Sequence, residues 1–174
     1  GQSRPSGPPT LNTWYVERQG DRWSEPRPAG PPLNPMQAMY VSTTKAGTIY
    51  TMDISGGPGT ESIAVARLID ATYGRLEKLG PPVNVGTGNM YPFIAPDESY
   101  LVFTRRVAQP AVTSLCVSFR KPDGTWSESR PIDLGMRAGA ASVSPDGRYL
   151  FFSGGEPGKG DIYWVSASVL APVK

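Results

Sequence analysis

The chain has 174 residues, 39% of them hydrophobic, and its 17 basic and 15 acidic side chains leave a net charge of +2. That length holds one domain with its own core, and the charge balance carries no electrostatic footprint for nucleic acid. No run approaches the ~20 apolar residues that span a bilayer, and the absence of histidine removes Ser-His-Asp and Cys-His nucleophile systems and His-ligated zinc or haem.

The chain opens on a Pro/Gly/Ser-rich tail, Gly1 to Thr10, with no apolar core of the kind a secretion signal needs. Pro5, Pro8 and Pro9 suit an extended segment, and with Arg4 they form a candidate contact for another polypeptide. Residues 11–35 then supply two strands, "NTWYVER" and "WSEPRP", closed by "GPPLN". Residues 36–84 supply a four-strand unit. Its first turn is "KAGT", its second strand is expected to be broken by Met52 and Asp53, its third is "SIAVARL", and it closes on "GPPVN".

Residues 85–135 give the clearest unit. "YPFIAP" is a strand and "PDES" a turn, with Pro presetting φ and Asp capping locally. "YLVFT" is apolar on both faces and therefore buried. A variable loop, "RRVAQPAVTS", leads to "SLCVSFR", an alternating third strand. "KPDG" turns the chain into "TWSESRPIDLG", a polar outer strand carrying Pro and charge. Residues 136–174 begin the same way, with "SVSPDGRYLFFSG", the loop "GGEPGKGD" and the strand "DIYWVSA", giving three strands.

These phrases recur at a common period. Pro96 and Pro145 are 49 apart, the two GPPxN phrases 50, and "WSEPR" and "WSESR" 103. Four antiparallel strands per ~50 residues, repeated, is the pattern of a β-propeller blade. The 20 glycines and 19 prolines leave no room for long helices. The expected fold is all-β, with about three to four propeller-type blades in an incomplete or open array: a partial blade at 11–35, blades at 36–84 and 85–135, and a partial blade at 136–174, after the tail at 1–10.

"SVSPDGRYLFFS", "GDIYWVSA" and "YVERQGDRWSEPRPAGPPLN" resemble the TolB-like family of bacterial β-propellers, whose repeats carry an S-P-D-G turn. The resemblance runs from Leu11 to Leu170. It implies a propeller fold and an extracytoplasmic, periplasmic setting. It does not fix an activity, since members range from envelope scaffolds to non-catalytic domains of larger enzymes.

Candidate site residues divide by whether they repeat. Asp97 and Asp146 occupy the same turn slot, which favours capping over catalysis. Asp161 ends "GGEPGKGD", which lacks the Walker spacing and the ordered oxygen ligands of an EF-hand. Cys116 lies in an apolar run and reads as a buried, inert thiol. Arg105 and Arg106 open the variable loop, where a carboxylate or an acidic partner would be met. Trp23 and Trp126 share a slot and read as packing. Trp164, on the last strand, is a candidate interface anchor. No catalytic, metal or cofactor residue emerges. The expected function is a non-catalytic protein-protein interaction scaffold, an accessory subunit of a larger bacterial assembly attached to a membrane complex. Its partners are other subunits or a second copy of itself. The alternatives are a propeller fragment of a larger enzyme and a small-ligand or glycan-binding propeller.

Overall fold

The structure, a computed structural model, describes residues 12–34, 38–86, 88–107, 112–156 and 158–171. It is all-β. Among the described residues, the helical element is a single 3-10 turn, Ala167–Leu170.

The N-terminal sheet pairs β1 (Trp14–Tyr15) with β4 (Arg27–Pro28), and between them β2 (Arg18–Gln19) and β3 (Arg22–Trp23) form a hairpin. The first blade contains β5 (Ala38–Thr43), β6 (Ile49–Asp53) and β7 (Ser62–Ala66). A hairpin of β8 (Leu68–Ile69) and β9 (Thr72–Tyr73) then leads to the outer strand β10 (Glu77–Lys78). The second blade is β11 (Asn89–Ile94), β12 (Tyr100–Val107), β13 (Val112–Phe119) and β14 (Arg130–Pro131), in that spatial order. The third has three strands, β15 (Ala138–Val143), β16 (Tyr149–Gly154) and β17 (Asp161–Ser166). All pairings are antiparallel.

Each blade packs its face on the next, so the core is divided into junctions. Leu33, Ala38, Ile49 and Ala66 fill the one between the N-terminal sheet and the first blade. Tyr50, Ile63, Leu101, Phe103, Cys116 and Trp126 belong to the next. Val102, Leu115, Val117, Leu150 and Phe152 belong to the last. This stacking explains two departures from the sequence reading. β6 is continuous and wholly buried through Met52 and Asp53. Asp53 is accommodated because its carboxylate accepts from the Ser55 N–H and pairs with Lys78 at 3.1 Å. Leu115 to Ser118 in β13 are all buried rather than alternating in exposure, because a blade lies against each face.

The repeated phrases act through the backbone. In GPPxN the Asn amide bonds the third strand at both backbone groups. Thr13 N–H donates to Asn34 Oδ1 and Asn34 Nδ2 to Thr13 O, each 2.8 Å. Asn84 does the same with Ile63, again at 2.8 Å. In WSExR, Ser24 and Ser127 accept from the third-strand N–H of Glu17 and Phe119.

The turns between the first two strands share a left-handed residue: Gly47 at φ 86°, Glu98 at 63° and Gly147 at 72°. Glu98 bears that strain because its carboxylate accepts from the buried Tyr50 hydroxyl and lies near Arg67 and Arg120. A Cβ added at Gly147 would meet nothing within 4 Å, so a side chain there gains no compensating contact. Gly147→Val is therefore expected to destabilise by about 1–2 kcal/mol. Urea denaturation checks this, and an unchanged midpoint would remove the conformational argument.

Candidate functional site

The turn aspartates spend their oxygens locally. Asp97 Oδ1 accepts from Ser99 N–H and O–H, at 3.1 and 2.6 Å. Asp123 Oδ1 accepts from Thr125 in the same way, at 2.8 and 2.6 Å. Asp146 accepts from the Ser144 hydroxyl and from the Arg148 N–H and guanidinium. These bonds stabilise the charged form, the Ser144 hydroxyl foremost, and hold the Asp146 carboxyl down at about 2. Asp161 accepts from the N–H of Ile162. Among the described residues, no three His, Cys, Asp or Glu side chains converge as a metal site. Burial raises the Cys116 thiol above its usual range.

The adjacent arginines diverge, because successive residues on a strand point to opposite faces. Arg105 makes its bonds within the chain. Its Nε donates to Asn89 Oδ1 at 3.0 Å and its Nη2 to Val83 O at 2.8 Å, and its guanidinium stacks over Phe103. Arg106 instead faces a cleft and lies 3.7 Å from Glu61. Arg4, Pro5, Pro8 and Pro9 lie outside the described residues.

The Trp slot holds three aromatics. Arg18 pairs with Trp23, Leu68 with Tyr73 and Arg120 with Trp126. Trp126 is 7% exposed and meets Tyr50 of the preceding blade edge-on. Tyr73 packs on the preceding junction and donates to Gly47 O at 2.9 Å. Trp23 is 67% exposed, and Trp14 of the same N-terminal segment is exposed too. At the opposite end of the stack, the cross-strand pairs Tyr50–Val65, Val102–Val117 and Phe151–Trp164 are equivalent, as are Ile63, Leu115 and Ile162. In the first two blades these residues are buried against the following blade. In the third, Phe151, Ile162 and Trp164 are 39%, 74% and 62% exposed. Trp164 thus stands on a bare blade face, and Ile162 and Phe151, which sequence reasoning passed over, stand with it.

The innermost strands β5, β11 and β15 lie side by side. Each carries a bulge at a residue of positive φ: Tyr40 at 57°, Tyr91 at 52° and Ala140 at 47°. The Tyr40 and Tyr91 rings meet edge-on at 4.4 Å, and burial foremost raises the Tyr91 phenol. The recurring Met-Tyr at 39–40 and 90–91 was the available signal for them. Beside Tyr91, between the second and third blades, opens a cleft of about 440 Å³ with Arg106, Arg137 and the glycines of the β16–β17 loop in its walls.

No protein-family model and no curated protein matches the sequence. Solved structures do. TolB from Acinetobacter baumannii matches with a TM-score of 0.53 at 12% identity, over 90% of this chain and 38% of its own. A TolB candidate from Agrobacterium tumefaciens matches at 0.44 and 15%, over 84% of this chain and 64% of its own. The chain spans less than two fifths of the Acinetobacter protein's length. At that identity the likeness is one of architecture, and with the stacked antiparallel blades it assigns the chain a TolB-like β-propeller fold.

Proposed function

We propose that the chain is a non-catalytic protein-interaction scaffold, an accessory subunit of a larger bacterial assembly outside the cytoplasm, attached to a membrane complex. The observation that carries this reading is the apolar face of the third blade. Phe151, Ile162 and Trp164 occupy slots that the other two blades bury, and a contiguous exposed apolar face marks an interaction surface. Trp14 and Trp23 are exposed at the other end of the stack. Trp164 is the expected anchor, since buried aromatics dominate interface energetics.

A photoreactive residue at position 162 tests this in the native bacterium. It is expected to crosslink a polypeptide, and Ile162→Asp with Trp164→Asp is expected to lower co-purification of that polypeptide about tenfold or more. Both side chains are exposed, so the blades keep their β-sheet signal. A chain that runs at its monomer mass in fresh extracts and crosslinks to nothing would defeat the reading.

A further inference from the structure

The junction between the second and third blades departs from the repeat where the cleft opens. Just before the bulge, the first and second blades carry Met39 and Met90, and the third carries Gly139. At the end of the second strand they carry Asp53 and Arg105, and the third carries Gly154. Both glycines line the cleft, and its volume lies within the range of small-molecule pockets. The wall is closely fitted. A Cβ on Gly154 would stand 3.0 Å from Met136 Sδ and 3.1 Å from the Tyr163 ring, and one on Gly155 would stand 2.9 Å from Lys159 O.

Two cations reach this cleft, and neither is repeated. Ile54 and Gly155 hold the slot of Arg106 in the other blades, and Gly88 holds that of Arg137 in the second. Arg106 is 3.7 Å from Glu61, beyond hydrogen-bond reach, and Arg137 Nε makes one long contact, 3.4 Å to Thr113 Oγ1. Glu156, also in the lining, makes no ion pair with either among the described residues. Thr104, Thr113 and Ser153 add hydroxyls. Features that recur in every blade build the scaffold. Among the described residues this constellation occurs once, at the junction of the second and third blades.

We propose that the cleft binds a small oxyanion-bearing molecule, its carboxylate or phosphate group held between Arg106 and Arg137. The planar guanidinium fork matches both groups and keeps its charge at any physiological pH. The site is separate from the apolar blade face, so it stands or falls independently of the scaffold reading.

The test titrates the full chain, at fixed ionic strength, with inorganic phosphate and separately with succinate, followed by calorimetry. At least one anion is expected to saturate, and which one does distinguishes a phosphate from a carboxylate ligand. Arg137→Gln is expected to weaken that binding about tenfold, the worth of one charge-assisted hydrogen bond, and Arg106→Gln to do the same. Arg148→Gln, an exposed guanidinium at the far end of the β15–β16 pair, is expected to leave it unchanged. Thermal midpoints of the variants are read alongside to exclude misfolding. No saturation with either anion, no loss in Arg106→Gln and Arg137→Gln, or an equal loss in Arg148→Gln overturns the proposal.

Discussion

Phe103→Ala is expected to destabilise the chain by about 3–5 kcal/mol, the usual cost of truncating a fully buried phenylalanine. Phe103 is inaccessible to solvent and lies in the junction with Tyr50, Ile63, Leu101, Cys116 and Trp126. It is also the ring on which Arg105 stacks. Its loss leaves a cavity between two sheets that are pinned on both flanks, so the site cannot collapse to fill it. For a chain of this length the midpoint of thermal unfolding should fall by roughly 6–20 °C. Phe151→Ala, on the bare face of the third blade, is the contrast, expected to cost less than about 1 kcal/mol in the isolated chain. Equal effects at the two positions would mean that the blades do not pack as a stack.

The second large effect separates neighbouring arginines. Arg105→Ala is expected to cost about 2–4 kcal/mol, and Arg106→Ala less than about 1 kcal/mol. Removing the Arg105 guanidinium strips a donor from Asn89 Oδ1, in a side chain 1% exposed, and from the carbonyl of the fully buried Val83. Val83 O keeps the Val85 N–H as a donor at 3.1 Å, so the acceptor left without one is Asn89 Oδ1, at about 1–3 kcal/mol, and the lost stacking on Phe103 adds to that cost. Arg106 loses a 3.7 Å ion pair with Glu61 that is not a hydrogen bond, so its removal orphans no hydrogen-bonded acceptor. Denaturant midpoints of the two variants measure the difference directly. If they match, the bonds of Arg105 to the GPPVN turn carry no weight.

Much of this architecture was legible in the sequence because it is local and repeated. The S-P-D-G and P-D-E-S phrases encode turns whose aspartates bond residues two positions away, and that chemistry travels with the peptide wherever it sits. The GPPxN and WSExR phrases supply side-chain amides and hydroxyls at fixed distances from the third strand, which is why they recur with the period. Other slots were hidden by substitution. Tyr73 holds the position of Trp23 and Trp126 without sharing their phrase, and Glu98 takes a left-handed conformation that glycine holds in the neighbouring turns.

The sequence by itself determined the strands, the turns, the period and therefore the blade. The tertiary structure alone decided which faces are covered. Trp23 and Trp126 sit in near-identical phrases, yet one is exposed and the other buried, because only Trp126 has a Tyr50 from the preceding blade beneath it. Trp164 is bare while its equivalents Val65 and Val117 are core for the same reason. Strand alternation tells which residues share a face, but whether that face meets protein or water depends on a sheet about 50 residues away. The same dependence separates Arg105 from Arg106, and it placed the cleft where glycines from two strands of one blade face the arginine of another, a juxtaposition that no local pattern encodes.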